Sequence, residues 1–268
     1  MARNRAPALA LENVSLRVRD GASERTLLLA PALHLPPGSV LGVRGASGAG
    51  KSTFLRILSG VVPPTSGSVR WGDVRLETLS EAERDRWRGE RCGFLFQDFR
   101  LFPDLTAEEN VLLPVTFTRA ITARDRAKAR ELLTEHGVRP QSRAATLSRG
   151  EMQRTALARV LLAEPGVILA DEPTASLDGA RAESVTRRLL SAAEGLGATL
   201  ILVSHDPRVL AAMSHVAEID CGRLIVPDEL SGPAETTEPA AVIPKRPCMP
   251  GASGPASRSS ARETRSCM

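Results

Sequence analysis

Gly45-Ala46-Ser47-Gly48-Ala49-Gly50-Lys51-Ser52 follows the spacing G-x-x-x-x-G-K-[ST]. These residue types at this spacing suit a grip on phosphate. Glycines allow successive backbone amides to turn inward around phosphate oxygens. A helix starting at the end of the run adds the partial positive charge of its N-terminus. The Lys51 ammonium would reach the β- and γ-phosphates of a nucleoside triphosphate, and the Ser52 hydroxyl would hold Mg²⁺. Thr53, next in the chain, is counted with the phosphate-binding residues. Of 35 cationic residues only Lys51, Lys128 and Lys245 are lysines, so a lysine closing a glycine turn is a specific feature. An ordinary glycine-rich turn before a helix needs neither the lysine nor the hydroxyl.

A second set of groups stands at 167–172. Val167-Ile168-Leu169-Ala170 is an unbroken apolar run, and Asp171 and Glu172 end it. On its own this is a charged exit from a strand. At the C-terminal edge of a parallel sheet, beside a phosphate loop, it becomes a ligand site. Asp171 could then hold Mg²⁺ directly or through water, and Glu172 could take a proton from an attacking water.

The elements that must position these groups are legible around them. Apolar runs at 40–43, 94–96, 167–170 and 199–203 read as strands. The last two lack polar alternation, as strands covered on both faces do. Residues 68–71 and 74–76, joined by Gly72-Asp73, read as a tight hairpin. Helix starts are marked by Ser80 with Glu83, Thr106 with Glu109, and Thr122 with Asp125, each a capping box. The last of these helices is expected to reach His136 and stop at Gly137. Helices are also expected at 52–59 and 150–163, and residues 98–147 are expected to be mainly helical. Strands alternating with helices give an α/β fold with a mainly parallel sheet. From residue 229 the chain turns to Pro, Ser, Gly and Ala, and a disordered tail is expected over 229–268.

Composition narrows the function classes. The chain has 268 residues, 42% of them hydrophobic, and a net charge of +4 from 35 basic and 31 acidic side chains. That supports a packed core and is too small a surplus to mark a nucleic-acid binder; no nucleic-acid partner is expected. No apolar run reaches membrane-spanning length, because Glu164 and Pro165 interrupt the richest stretch. Cys92, Cys221, Cys248 and Cys267 have no metal or disulfide spacing.

Read together, the motifs resemble the ATP-binding cassette (ABC) ATPases over about residues 9–226. Asp171-Glu172-Pro173-Thr174 followed by Ser176-Leu177-Asp178 is similar to that family's second nucleotide motif and D-loop. Ser204-His205-Asp206 after a strand resembles its switch histidine, and Gln97 after Gly93-Phe94-Leu95-Phe96 its Q-loop. Leu147-Ser148-Arg149-Gly150-Glu151 resembles its signature, although Ser148 and Glu151 also form a capping box that simply starts a helix. The resemblance implies a P-loop NTPase fold with an antiparallel β subdomain and a helical subdomain at about 98–163, inside an ATP-binding domain at 1–228. It implies ATP and Mg²⁺ as ligands, with Glu172, His205 and Gln97 as catalytic residues and Ser52, Gln97 and Asp171 around the metal. Residues Gly45 to Thr53, Ser148, Gly150 and Asp178 would bind nucleotide. Two copies, or this chain and a paralogous subunit, would sandwich two ATP molecules, Ser148 and Gly150 serving the other copy's γ-phosphate.

Two departures stand out. Arg149 occupies the place of the first signature glycine, removing backbone freedom and adding a cation that could pair with phosphate. No aromatic residue precedes Phe54, so the usual stacking platform for adenine is missing; Arg17, Val18 or Arg19 would substitute. Modest ATP affinity and weak discrimination against GTP are expected. The stretch from Gly93 to Pro114 is similar to the lipoprotein-releasing and macrolide-exporting branch, with the cell-division type nearby. There Phe99, Leu101, Phe102 and Pro103 would expose two aromatics as a surface for an integral membrane permease. That implies a transport ATPase at the cytoplasmic face of the plasma (inner) membrane. The alternatives are a non-transport cassette acting on DNA or the ribosome, and a weakly hydrolysing cassette regulating a membrane partner. A small-molecule phosphoryl transferase would share Lys51 and Ser52 but would not need the other motifs.

Overall fold

The computed structural model describes residues 6–21, 23–175 and 179–231. The disordered tail expected over 229–268 does not begin at 229: Glu229 and Leu230 belong to a 3-10 turn, Asp228–Leu230, which buries Leu230 in the core. From residue 232 the chain lies outside the described residues, as do Ser176, Leu177 and Asp178. Among the described residues no helix is long and apolar enough to cross a membrane.

Antiparallel strands β1 (Leu9–Asp20) and β2 (Ser23–Leu35) form a long ribbon. In β2, Leu28 and Ala30 point into the core; past Pro31 the phase shifts, and Leu33 and Leu35 do so. Val14 faces Ala30 and Glu12 faces Ala32, so Asn13 and Pro31 drop out of the pairing. A proline cannot donate to a ladder and sits where the ladder is already broken. This phase break hides β2 from a simple period-2 reading. Strand β3 (Val40–Arg44) follows, then helix α1 (Lys51–Leu58). Strand β4 (Ser66–Trp71) lies along β1, and β5 (Val74–Arg75) closes the expected hairpin. Leu76 leaves that hairpin to begin a 3-10 turn, Leu76–Thr78, that buries its side chain.

Helix α2 (Glu81–Arg91) leads into β6 (Cys92–Leu95), which stops one residue before Phe96. The stretch expected to be helical holds α3 (Ala107–Thr116) and α4 (Ala123–Glu135), and α5 (Arg149–Leu162) completes the unit. All three start at complete capping boxes, as does α2. Each box satisfies amide donors that a helix start leaves unpaired. Val111, Leu112, Leu133 and Ala158 join the three helices around their own apolar cluster.

The parallel half contains β7 (Val167–Asp171), β8 (Thr199–Val203) and β9 (His215–Asp220), with α6 (Gly179–Leu196) between the first two and the short α7 (Pro207–Leu210) after β8. Its order is β9-β3-β8-β7-β6. Every residue of β8 is buried, as is β7 up to Ala170, which accounts for their unbroken apolar sequences. Strand β10 (Arg223–Ile225) folds back on β9, and its Arg223 also pairs with Leu29 of β2. The antiparallel and parallel parts therefore share one ten-stranded sheet.

The loop before α3 is held by one side chain. Asn110 is fully buried; its Oδ1 accepts from the Phe102 N–H at 2.8 Å, and its Nδ2 donates to the carbonyls of Phe102 (3.1 Å) and Thr106 (3.0 Å). Asn110→Ala leaves the Phe102 N–H without its partner, while the Phe102 and Thr106 carbonyls keep their backbone donors, the Leu105 N–H and the residue-110 N–H. A buried donor left unpaired costs about 1–3 kcal/mol. Urea unfolding should show the variant destabilised by about that amount; a change below about 0.5 kcal/mol would mean that the side chain does not organise the loop.

Candidate functional site

The turn between β3 and α1 is shaped from behind. A Cβ on Gly45 would lie 2.4 Å from the Ile219 carbonyl oxygen of β9, so only glycine fits against that strand. Gly50 has φ 110 and caps α1 from the left-handed region, with the Leu27 carbonyl 3.2 Å from where a Cβ would sit. The turn between β9 and β10 braces the loop: Gly222 N–H donates to the Ala49 carbonyl at 3.0 Å, and Leu29 N–H donates to the Gly222 carbonyl at 2.7 Å. Backbone contacts thus hold the curve from behind.

A cleft of about 540 Å³ lies at this end of the sheet. Gly45, Ala46, Ser47, Gly48, Gly50, Lys51, Ser52 and Thr53 form one wall, and Gln97, Asp171, Glu172 and His205 come from the ends of β6, β7 and β8. Ala175, which the sequence reading did not single out, lines it too. Ala49, expected among the nucleotide contacts, turns its methyl into the core.

Lys51 is buried at this edge. Its Nζ donates to the carbonyls of Gly45 (2.8 Å) and Ala46 (3.0 Å) and stands 3.6 Å from Glu172 Oε1. Glu172 Oε2 lies 2.8 Å from His205 Nδ1. Glu172 itself has φ 47, a conformation unusual for a residue with a side chain. Its N–H donates to the Val203 carbonyl at 3.0 Å, which pins that turn against β8. Both oxygens of the carboxylate are thus engaged, one facing an ammonium and the other an imidazole. Among the described residues no cluster of three or more His, Cys, Asp or Glu side chains could hold a metal. The donor set fits Mg²⁺ in its usual form, with one hydroxyl and one or two carboxylates plus substrate phosphates. Ser52 and Asp171, both lining the cleft, are the groups that could hold it.

Ser148 and Gly150 stand apart from this cleft, at the N-terminus of α5. The Ser148 hydroxyl donates to Glu151 Oε2 at 2.6 Å and accepts from the Glu151 N–H at 3.3 Å. That hydroxyl, with the Ser148 N–H, holds the Glu151 carboxyl below its ordinary range. Arg149 is the first residue of α5 and does not have positive φ, so this position needs no glycine. Asp178 lies outside the described residues. Of the residues proposed as an adenine platform, none lines the cleft; Val18 is an exposed residue of β1, and Arg17 reaches across to Glu24 at 3.5 Å.

The expectation of two exposed aromatics after Gln97 needs correction. Phe102 is 55% exposed, but Phe99 is only 4% exposed and packs in the cluster of Leu95, Ala156, Leu157 and Val160. Phe99 and Arg100 both have left-handed backbones, φ 57 and 44. Arg159 holds them there, its Nη2 donating to the Phe99 carbonyl at 2.6 Å and its Nη1 to that of Arg100 at 2.8 Å. Burial lowers the pKa of the Arg159 guanidinium, which nevertheless stays charged at neutral pH.

A phosphate loop, an acidic strand end and a histidine meeting at one edge of such a sheet define a nucleoside triphosphatase. The ABC transporter family model matches residues 29–175, more than half of the chain. The lipoprotein-releasing system ATP-binding protein LolD of Syntrophotalea carbinolica is 41% identical over 194 residues, 72% of this chain and 86% of that protein. The macrolide export ATP-binding/permease protein MacB of Burkholderia thailandensis is 38% identical over 96% of this chain, which spans 38% of that longer protein. A solved dimeric structure of the ATP-binding cassette MJ0796 bound to ADP and Pi superposes with a TM-score of 0.72 at 32% identity, covering 81% of this chain and 96% of that one. The chain belongs to the ABC transporter family, as an ATPase subunit of the LolD and MacB type.

The contact behind the loop generates a test. Overpacking of this kind costs about 1–3 kcal/mol, so Gly45→Ala should weaken ATP binding by roughly tenfold or more. Gly195→Ala, in α6 with open space around it, should leave binding unchanged. Titration with a fluorescent ATP analogue measures both; equal affinities would mean that Ile219 does not shape the loop.

Proposed function

We propose that the chain is the ATP-hydrolysing subunit of a membrane transporter and that two copies enclose two ATP molecules between them. One observation carries the pairing. The capped helix end with Ser148 and Gly150 lies outside the cleft where the other site residues converge. Such an end is an anion site, so its phosphate would come from a second copy.

In this reading the turn at 45–50 and Lys51 bind the phosphates, while Ser52, Asp171 and Gln97 hold Mg²⁺, which when bound neutralises charge developing on the phosphate oxygens. Phosphate arriving at Lys51 competes with Glu172 for the ammonium. The freed carboxylate then takes a proton from the attacking water, and His205 holds its other oxygen. Asp178 would contact nucleotide at the interface between copies.

A permease helix would dock in the groove of about 390 Å³ between β6, α3 and α5. Stacked Phe94 and Phe96 rings, 5.4 Å apart, line it with Leu113 and Pro114, and 79%-exposed Phe117 stands at its rim. MacB, by its name, carries ATP-binding and permease parts in one protein, which supports a permease as the occupant. The chain would then work at the cytoplasmic face of the plasma membrane. The cargo, whether lipoprotein, lipid, peptide or drug, would be chosen by the permease.

With ATP and Mg²⁺, Glu172→Gln should retain nucleotide and run as a dimer in light scattering, while hydrolysis falls by at least about a hundredfold. Lys51→Ala should lose nucleotide binding. A Glu172→Gln protein that neither keeps ATP nor pairs would overturn the reading. Competition titrations should also show an ATP preference over GTP of less than about tenfold, since a missing aromatic stack removes about 1–3 kcal/mol of base contact; a stronger preference would mean that another group reads the base.

A further inference from the structure

We propose that Arg149 is a positioning residue that couples the start of α5 to the loop carrying Gln97, acting through the face of Phe99; this rests on the ATPase reading above. The Arg149 guanidinium carbon lies 5.9 Å from the centroid of the Phe99 ring, within cation–π range. Phe99 sits two residues after Gln97, which lines the cleft. Arg149 sits beside Ser148 and Gly150, at the helix end expected to meet the other copy's nucleotide. The pair therefore joins the two surfaces that one subunit offers to two different ATP molecules.

The joint is part of a longer grip. Arg159, ten residues further along α5, donates to the carbonyls of Phe99 and Arg100. One helix thus holds the Gln97 loop from two positions about 15 Å apart along its axis. Phe99 is 4% exposed, and its ring is wedged among Leu157 and Val160 of the same helix. A shift of the loop cannot be absorbed by that ring alone, because close-packed groups transmit displacement.

A cation in the first turn of a helix opposes the helix dipole, so α5 does not itself favour an arginine there. The Phe99 face supplies a reason for one. Glycine at 149 would leave Arg159 and the apolar contacts but remove the link at the phosphate-facing end.

The full-length chain is compared with Arg149→Gln, Arg149→Lys, Phe99→Leu and the Gln/Leu double variant. The first readout is hydrogen exchange of the 97–101 amides without nucleotide. Exchange should rise about threefold or more in Arg149→Gln and in Phe99→Leu, and the double variant should exceed neither single one. The second is hydrolysis, where kcat should fall about threefold to tenfold in each single variant and the losses should again not multiply. Unchanged exchange in Arg149→Gln overturns the proposal, as do multiplying effects. So does the pattern of a charge aimed only at phosphate: full activity in Arg149→Lys with Phe99→Leu like the parent in both readouts. Phe99→Leu can lose stability as a core substitution, but the exposed Arg149→Gln tests the link without it. Because exchange is read without ATP, it stands or falls independently of whether Glu172→Gln retains nucleotide.

Discussion

The structure depends on keeping one ammonium group at the end of a sheet without burying it unpaired. Lys51 has little exposure, and an isolated charge there would be costly. Two loop carbonyls and the Glu172 carboxylate surround it. For those carbonyls to turn toward the lysine, the loop must curl tightly, and the curl requires bare backbone at Gly45 and a left-handed residue at Gly50. The sheet order follows the same need. β3 delivers the loop and lies next to β8, and β8 lies next to β7, so the loop, His205 and the two acids reach one edge together.

Buttressing comes from the antiparallel half. The turn between β9 and β10 donates to Ala49 and accepts from Leu29, so β2 and the phosphate loop are fastened through a single glycine. The ribbon is therefore the wall behind the loop as well as a packing layer. It also offers no ring to a nucleotide base, since Val18 and its neighbours do not line the cleft.

The helical unit has a different logic. Its helices start at local caps, and its core is a separate apolar cluster. One tie to the site runs through the Gln97 loop, where Asn110 holds one end and Arg159 the middle, and a second runs from Gln153 of α5 to the Pro173 carbonyl just after Glu172. The Gln97 loop is fastened by these polar groups and by Phe99, which packs into the apolar cluster beside α5, so a shift of the loop is passed to that helix.

The amino-acid sequence by itself determined what depends on neighbours a few residues apart. The phosphate loop, the acidic strand end, the capping boxes and the two fully buried strands were all readable, because turn geometry, caps and burial on both faces leave signals within about ten residues. It did not reveal β2, whose alternation changes phase at Pro31, nor the burial of Phe99, which rests on partners some sixty residues away in α5. The roles of Ile219 and Gly222 behind the loop were equally hidden, because they arise from strand order and backbone contacts that carry no side-chain code. Only tertiary packing decided which residues share the cleft and that Ser148 and Gly150 do not. The physical reason is that a local pattern specifies a conformation, whereas a site is made by the distances between patterns, and those are set by the sheet.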